Sequence, residues 1–373
     1  LTNLVYLNVS SNRLQDVSDL GFRERAMHQA LISEQEIPRP SSQSVQHGSC
    51  SLDIEVLDAS NNHFVLMPEN GFMALRRLKE LHIHDNEISM VADKALAGLK
   101  QLQIIDMSNN KIVALPQDLF KDSRPVIKEI YLQNNSISVL SPSLFANLDQ
   151  LLALDLSNNH LTSTWINENT FTGLIRMVLP QDLFKDSRPV IKEIYLQNNS
   201  ISVLSPSLFA NLDQLLALDL SNNHLTSTWI NENTFTGLIR MVLLNLSNNR
   251  LTKLEPKIFK DLYTLQILNI QHNMLENIAA DTFSPMNNLP SLFANLDQLL
   301  ALDLSNNHLT STWINENTFT GLIRMVLLNL SNNRLTKLEP KIFKDLYTLQ
   351  ILNIQHNMLE NIAADTFSPM NNL

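Results

Sequence analysis

Residues 151–161 read LLALDLSNNHL, with leucine at residues 151, 154, 156 and 161 and asparagine at residue 159. The same phrase, L-x-x-L-x-L-x-x-N-x-L, recurs about every 24 residues between residues 4 and 359. A repeat of this length is one supersecondary unit that cannot bury its apolar face alone, so neighbouring units stack on one another. The phrase therefore predicts an elongated stack of coils rather than a closed core.

Thirteen copies of the phrase share one register, counted with its first apolar residue as position 1. They begin at Leu4, Ile54, Leu78, Leu102, Ile127, Leu151, Ile191, Leu215, Met241, Leu265, Leu299, Met325 and Leu349. This spacing is that of a leucine-rich repeat solenoid. It predicts an α/β solenoid shaped as a horseshoe, with a parallel β-sheet on the concave side and an irregular or short-helical convex side.

The alternation of side chains along a strand predicts which positions of the repeat are buried and which face solvent. Positions 4 and 6 point into the core, and position 5 faces solvent on a short strand. The turn after the strand has backbone groups that need partners, and an asparagine side chain both donates and accepts hydrogen bonds. We therefore expect a structural ladder of the position-9 asparagines: Asn12, Asn62, Asn86, Asn110, Asn135, Asn159, Asn199, Asn223, Asn249, Asn273, Asn307, Asn333 and Asn357.

A second column of large apolar residues lies near position 19 of the repeat. Its members are Phe22, Phe72, Leu96, Phe120, Phe145, Phe171, Phe209, Phe235, Phe259, Phe283, Phe319, Phe343 and Phe367. We expect these side chains to fill the space behind the strands on the convex side. Both columns are framework rather than ligand sites.

Two long blocks of the chain are repeated letter for letter. Residues 116–179 recur as 180–243, and residues 206–289 recur as 290–373. The blocks are 64 and 84 residues long, and neither length is a multiple of 24. Such identity indicates either a very recent tandem duplication or a sequence-assembly or gene-model error, and the breaks in the frame favour the error. Without the second copies, eight regular repeats would remain.

The frame is cut short at each junction between copies, leaving truncated stubs at 177–190 and 289–298 that lack the strand motif. We expect the strand ladder to skip the stubs, which would bulge from the convex side. The segments that would then pair are Leu154–Asn159 with Ile194–Asn199 and Leu268–Asn273 with Leu302–Asn307. Two pairs of phenylalanines would compete for one convex slot each, Phe171 with Phe184 and Phe283 with Phe293.

The frame divides the chain into seven segments. These are a partial first repeat at 1–18, an irregular insert at 19–51, repeats at 52–176, the stub at 177–190, partly duplicated repeats at 191–288, the stub at 289–298 and duplicated repeats at 299–373. The insert is polar and rich in proline and serine, which predicts an exposed, disordered loop. It holds Cys50, the only cysteine, and the sequence leaves open whether that thiol is free or has a partner outside the chain.

The charge balance excludes some classes of partner. The chain has 27 Lys and Arg against 37 Asp and Glu, a net charge of −10. The chain therefore has no excess of basic residues that could bind phosphates, and nucleic acid is not an expected partner. No apolar run approaches the ~20 residues that a membrane helix needs. The chain begins and ends inside repeats without the polar caps that seal a solenoid, so we expect an interior fragment of a longer protein.

Five N-x-S/T sequons indicate a secreted protein, namely Asn8, Asn134, Asn198, Asn245 and Asn329. Three of them lie at position 5 and two at position 8, so we expect all five on the concave face. Glycans there would cover part of that face and direct ligands to the lateral edges or the convex side.

Motifs of catalysis and cofactor binding are absent from the sequence. It contains no P-loop, dinucleotide-binding glycine motif, nucleophile elbow or zincin motif, and we expect no cofactor. His82, His84 and Asp85 form the densest polar group, so a weak metal site is conceivable. Exposed residues of a binding face explain the group more simply, and we predict no metal.

Aspartates form a strip at position 5, interrupted by two tyrosines. The strip consists of Asp106, Asp155, Asp219 and Asp303, with Tyr131 and Tyr195 between them. A general-acid pair needs burial to raise the pKa of one carboxyl, and we expect an open sheet to offer none. The sequence therefore predicts a protein that is not an enzyme.

Several segments contain residues that the repeat frame leaves free to vary, namely IHDNEISMVADKALAGL, EIYLQNNSISVL, LTSTW, FTGLIRMVLLNLS, DLYTLQILNI and AADTFSPMNNL. These segments resemble the ectodomain of insect Toll receptors, the long Tollo-like group in particular. The resemblance covers essentially the whole chain, including the insert after GFRER.

The resemblance implies a region on the extracellular side of the plasma membrane, belonging to a single-pass receptor whose transmembrane helix and cytoplasmic TIR domain lie outside this chain. It implies a cystine-knot cytokine of the Spätzle type or other receptor ectodomains as partners, and roles in innate immunity and epithelial patterning. The candidate ligand contacts are the variable concave residues Lys79, Glu80, His82, His84, Asp85, Lys128, Glu129, Tyr131 and Gln133. Two alternatives stay open, an adhesion or matrix protein without a signalling domain and a cytosolic scaffold.

Overall fold

A computed structural model of the chain describes residues 4–20, 52–141, 143–164, 170, 191–205, 208–210, 212–279, 282–283 and 296–367. Over these residues the chain winds into a solenoid, and one parallel sheet of thirteen strands lines one side of it. The predicted leucine-rich repeat fold is confirmed.

The strands are short, two or three residues each. In chain order they are β1 (Tyr6–Asn8), β2 (Val56–Asp58), β3 (Leu66–Met67), β4 (Glu80–His82), β5 (Met90–Val91), β6 (Ile104–Asp106), β7 (Glu129–Tyr131), β8 (Ala153–Asp155), β9 (Glu193–Tyr195), β10 (Ala217–Asp219), β11 (Leu243–Asn245), β12 (Lys253–Leu254), β13 (Ile267–Asn269), β14 (Asn277–Ile278), β15 (Ala301–Asp303), β16 (Leu327–Asn329), β17 (Lys337–Leu338), β18 (Ile351–Asn353) and β19 (Asn361–Ile362). The pairs β3–β5, β12–β14 and β17–β19 form three separate two-stranded sheets, and the other strands make the long sheet in chain order.

The strands of the long sheet correspond to positions 3 to 5 of the repeat. The central residue of most of them is buried, as Leu81, Ile105 and Ile130 show, and the residues on either side are half exposed. Successive side chains of a strand point to opposite faces, so the leucine rhythm fills the core while positions 3 and 5 face the concave side.

The long sheet continues across both junctions between copied blocks. β8 pairs with β9, with Leu154 opposite Ile194, and β13 pairs with β15, with Leu268 opposite Leu302. The predicted pairing is therefore confirmed. The stub residues 177–190 and 289–295, and with them Phe184 and Phe293, lie outside the described residues, as does Phe171.

The asparagine ladder runs the length of the sheet. In Asn110, Nδ2 donates to the carbonyl of Ile83 in the preceding repeat at 3.1 Å and to the carbonyl of Ser108 at 3.0 Å. Its Oδ1 accepts the backbone amide of Ile88 at 3.0 Å. The same bonds recur down to Asn357, where the amide of Leu335 donates at 3.0 Å. The ladder joins each coil to the one before it, as predicted.

The position-19 column is also confirmed for its described members except Phe367, which stacks on Phe343 at the end of the column but is exposed. Phe120 and Phe145 are buried and stack with ring centroids 6.4 Å apart, and Phe259 stacks on Phe283 at 6.2 Å. Turns fill most of the convex side, and its one helical piece among the described residues is a 3-10 turn at Val17–Leu20.

The residue before each ladder asparagine adopts a left-handed backbone conformation. At position 8 every frame has a positive φ, for example 51° at Asn109, 52° at Asn222 and 52° at Asn332. L-residues reach this region at a cost, and asparagine tolerates it best after glycine. The chain reverses here after each strand, which explains the first asparagine of the SNN triplets, the residue at position 8.

Candidate ligand-binding face

Eight of the nine candidate contacts come together on the concave face, and the ninth, Asp85, lies at position 8 in the turn just beyond β4. They belong to the repeats of β4 and β7, and β6 lies between these strands. His82 lies opposite Asp106, which lies opposite Tyr131. Neighbouring strands are roughly 5 Å apart, so the two groups of candidates are about 10 Å apart. We call the nine residues, with Glu55, Gln103 and Asp106 between them, the concave charged patch.

Ion pairs and hydrogen bonds hold the part of the patch around β4. Lys79 Nζ contacts Glu55 Oε2 at 2.7 Å, across to the preceding repeat. His82 Nε2 lies 3.5 Å from Glu80 Oε2, and His84 Nδ1 lies 2.7 Å from Asp85 Oδ2. These pairs are partly exposed, so each contributes little stability, but they fix the side chains in a set arrangement.

The part of the patch around β7 is less neutralised. Lys128 Nζ donates to Gln103 Oε1 at 2.9 Å rather than to a carboxylate. The Tyr131 hydroxyl donates to Glu129 Oε2 at 2.9 Å. The Gln133 side-chain oxygen is buried and accepts no hydrogen bond from the described part of the chain. A protein ligand would therefore meet an ammonium group with no carboxylate partner among the described residues, and a tyrosine ring held in place by a carboxylate.

Two tyrosines on the face have strongly shifted pKa values. Burial, followed by the hydrogen bond to Glu129, raises the pKa of Tyr131 far above its ordinary value. Burial and the charge of Glu193 raise the pKa of Tyr195 to about 12. Both phenols therefore stay neutral and act as hydrogen-bond donors over the physiological range.

Asp155 corrects one expectation of the sequence. The open sheet was expected to bury none of the position-5 carboxyls, yet burial raises the pKa of Asp155, partly opposed by hydrogen bonds from Ser157. In the register of the sheet, Asp155 lies between Tyr131 on β7 and Tyr195 on β9.

The histidines of the patch do not converge on a common point. The rings of His82 and His84 meet edge to face with centroids 6.4 Å apart. Across the described ranges no three His, Cys, Asp or Glu side chains are placed to hold one metal ion. His84 is oriented by its bond to Asp85, which suits a contact residue.

The five sequons fall into two structural groups. At position 5, the side-chain amides of Asn8, Asn245 and Asn329 donate to Asp58, Asp219 and Asp303 on the neighbouring strands at 3.0, 3.0 and 3.1 Å. Asn134 and Asn198 are exposed and lie in the left-handed turns just beyond β7 and β9. Asn8 is exposed as well, whereas Asn245 and Asn329 are half exposed.

Sequence reasoning missed the residues that hold the patch together. Glu55 and Gln103 were not among the candidates, yet they are the partners of Lys79 and Lys128. The signal was present, because each partner lies at position 2 of the preceding frame, 24 or 25 residues earlier. Comparing like positions between adjacent frames would have found both.

The repeat pattern is matched by a known protein family. Residues 53–112, 76–126, 125–179, 189–251, 239–292 and 323–373 match the family described as leucine rich repeat. Together these segments cover well over half of the chain. In the part of the chain that the structure describes, no helix is long and apolar enough to cross a membrane.

Two curated proteins illustrate the relatives. The chain is 24% identical to podocan of Mus musculus over 321 residues, which are 84% of this chain and 49% of podocan. It is 26% identical to Toll-like receptor 3 of Bos taurus over 335 residues, 86% of this chain and 31% of that receptor. The chain thus spans about half the length of podocan and less of the receptor.

Solved structures give the same picture of the fold. The glycosylated form of the Toll–Spätzle complex of Drosophila matches with a TM-score of 0.61 and 25% identity, covering 83% of this chain and 46% of that one. A plant peptide hormone receptor in complex with its peptide matches with a TM-score of 0.62 and 24% identity, covering 82% of this chain and 44% of that one. At 24% identity, the match to the plant receptor is evidence of a shared fold only.

Proposed function

We infer that this chain, which belongs to the leucine-rich repeat family, is the ligand-recognition region of a Toll-type transmembrane receptor of the Tollo-like group. It acts on the extracellular side of the plasma membrane and binds a protein ligand without catalysing a reaction. The transmembrane helix and the cytoplasmic signalling domain of such a receptor lie outside this chain.

The concave charged patch is the observation that carries the proposal. Lys128 points a cation without a carboxylate partner to solvent, next to the ordered phenol of Tyr131. Aromatic and charged side chains on a rigid support are typical anchors of protein interfaces. The asparagine ladder supplies that support, so little ordering entropy is lost on binding.

The comparisons favour a receptor with a protein ligand. Toll-like receptor 3 is among the curated relatives, and a Toll chain in complex with Spätzle is among the similar structures. We propose a cystine-knot cytokine of the Spätzle type, or the ectodomain of another receptor, as the partner. The ligand would bridge two ectodomains, and the proximity of the cytoplasmic domains would transmit the signal for innate immunity or tissue patterning.

Glycosylation belongs to the same proposal. Asn134 lies in the turn beyond β7, so we propose that a glycan there leaves the strand residues of the patch open to the ligand, contrary to the expectation that glycans direct ligands away from this face. We expect N-linked glycans at the five sequons, with higher occupancy at the exposed Asn8, Asn134 and Asn198 than at the half-exposed Asn245 and Asn329. Peptide mass spectrometry of secreted protein, after enzymatic glycan release in heavy-oxygen water, measures occupancy at each site. Unmodified asparagine at all five positions would argue against passage through the secretory pathway and favour a cytosolic scaffold.

Binding of a Spätzle-type cytokine to the secreted chain tests the proposed function. We expect Lys128→Ala and Tyr131→Ala each to weaken binding about tenfold, as measured by biolayer interferometry. Lys337→Ala is the matched control, because Lys337 is an exposed lysine on the separate sheet β17–β19, paired with Glu339. Equal affinity of all four proteins, or no binding of any cytokine or ectodomain offered, would contradict the proposal.

A matrix or adhesion protein is the second candidate, supported by the similarity to podocan over most of the chain. The two candidates differ outside this chain, because only the receptor needs a cytoplasmic TIR domain. A full-length transcript that ends in a secreted repeat protein would favour the matrix candidate.

A further inference from the structure

We propose that one lateral edge of the solenoid binds a sulfated polysaccharide through a row of arginine and histidine side chains. The row, called here the lateral cation row, consists of His224, Arg250, His272, His308, Arg334 and His356. Each of the six C-terminal repeats contributes one member, from position 8 or position 10. The proposal is independent of the receptor function above.

The geometry of the repeat places these side chains on one edge. Positions 8 and 10 flank the inward-pointing ladder asparagine, so both project outward. The six repeats contain β10, β11, β13, β15, β16 and β18, which are consecutive neighbours in the long sheet. With strands roughly 5 Å apart, the row is about 24 Å long. Five of its members are exposed and His308 is half exposed.

Backbone hydrogen bonds hold the row in place. The amide of Arg250 donates to the Leu225 carbonyl at 2.9 Å, and that of Arg334 to the Leu309 carbonyl at 2.8 Å. The amide of His272 donates to the Ser305 carbonyl at 3.0 Å. The spacing of the charges is therefore set by the ladder and not by mobile loops, which lowers the entropy lost on binding a long ligand.

The charges of the row are not neutralised by the protein. None of the six side chains takes part in an ion pair within the described ranges. Positions 8 and 10 of these repeats contain no acid; the acids at positions 5 and 12 are Asp219, Asp303, Glu276 and Glu360. Asp219 and Asp303 already accept hydrogen bonds from Asn245 and Asn329.

The N-terminal part of the same edge shows the contrast. There Glu87 at position 10 contacts His63 Nδ1 at 3.4 Å and Lys111 Nζ at 2.9 Å. Lys111 also lowers the pKa of Glu87. The cations of this part are thus balanced within the protein, whereas those of the lateral cation row are available to an external anion.

The chemistry of the edge suits a chain of sulfate groups. Guanidinium and imidazolium groups bind oxyanions, and the asparagine amides at position 8 add neutral donors. Proteins that bind single-stranded nucleic acid also present aromatic side chains on which the bases stack. Positions 7, 8, 10 and 12 of these repeats contain no aromatic residue except histidine, so the edge suits a polysaccharide better than a nucleic acid. His224, Arg250 and His272 lie before the copied block, and the copy at 290–373 adds His308, Arg334 and His356 to the row in this chain.

Acidity should strengthen the interaction. Imidazole is the side chain whose charge changes between about pH 5 and pH 8, and the row contains four imidazoles for two guanidinium groups. The acids that flank the row are Glu276 and Glu360 at position 12 and Asp219 and Asp303 at position 5.

Heparin, as an immobilised probe, tests the proposal with the full chain. We expect salt-sensitive binding that is about tenfold tighter near pH 6 than near pH 7.5. The double variant Arg250→Gln with Arg334→Gln should bind about tenfold more weakly at both values. The double variant His224→Gln with His308→Gln should lose much of the pH dependence. Lys111→Gln, a neutralised cation at the same repeat position, is the control and should bind as the parent protein does.

Three results would overturn the proposal. The first is no heparin binding near pH 6 in about 0.1 M salt. The second is unchanged binding by the arginine double variant, when its melting curve shows it to be folded. The third is preference for an RNA or DNA duplex over heparin of equal charge, which would assign the edge to nucleic acid instead.

Discussion

Replacing Asn223 by alanine tests the role of the asparagine ladder. Asn223 is 4% exposed, and its Oδ1 accepts the backbone amide of Ile201 at 3.0 Å. Its Nδ2 group donates to the carbonyls of Leu196 at 3.0 Å, Leu220 at 3.2 Å and Ser221 at 3.1 Å. Alanine removes all of these bonds and introduces no group that could replace them.

The expected decrease in the free energy of unfolding follows from the number of hydrogen bonds that are removed. An NH2 group has two hydrogens for three carbonyls, so one hydrogen is shared, and three full hydrogen bonds are lost in total. A buried group left without its partner costs about 1–3 kcal/mol. Water can reach some of the freed groups after the side chain is shortened, so we expect Asn223→Ala to lower the free energy of unfolding by about 3–5 kcal/mol.

Urea denaturation followed by circular dichroism measures the loss, with hydrogen exchange at the Ile201 amide as a local probe. Asn12→Ala is the matched control, since Asn12 is exposed and, among the described residues, donates to the carbonyls of Val9 and Ser10 in its own coil and to no other repeat. It should cost about 1 kcal/mol or less. The reasoning is refuted if Asn223→Ala costs no more than Asn12→Ala while the Ile201 amide stays protected.

Further predictions concern the concave face and the turns. Asp155→Asn should raise the melting temperature near pH 7, because burial raises the pKa of Asp155 and its ionised form destabilises the fold above that pKa. The gain should vanish as the pH falls through the pKa of Asp155, because the carboxyl then becomes neutral in the parent protein. Asp219→Asn is the control, since Asp219 has Tyr195 and Asn245 as its neighbours in the sheet. A gain in melting temperature that persists at low pH would show that the buried charge of Asp155 is not its cause. Asn332→Val should destabilise the chain by about 1–2 kcal/mol, because φ is 52° at this residue, whereas Asn332→Gly should be nearly neutral. Equal melting temperatures of the valine and glycine variants would argue against backbone strain at this position.

Much of the fold was predictable because each position of the repeat has the same structural role in every repeat. Leu154 and Asn159 follow from alternation and from the need to satisfy a turn, and the pairing of Leu154 with Ile194 follows from the frame alone. The three two-stranded sheets were not predicted. Lys253–Leu254 is two residues long and pairs only with the same position of the next repeat, so a single frame contains no signal for it.

The site was predictable only as a list of outward positions. Whether an outward residue is free or paired depends on the neighbouring repeat, as Lys79 with Glu55 and Lys128 with Gln103 show. The burial of Asp155 likewise could not be read from one repeat, because its neighbours in the sheet, Tyr131 and Tyr195, belong to other strands. The sequence identified the surface, and cross-strand contacts determined its chemistry.

Cross-linking of a bound cytokine to lysines tests the central claim most directly. An amine-reactive cross-linker, with mass spectrometry of the joined peptides, reports which lysines lie near the ligand. The proposed function predicts cross-links from Lys79 and Lys128 on the concave charged patch. Cross-links from Lys257 and Lys341 alone, two exposed lysines away from the long sheet, would contradict it.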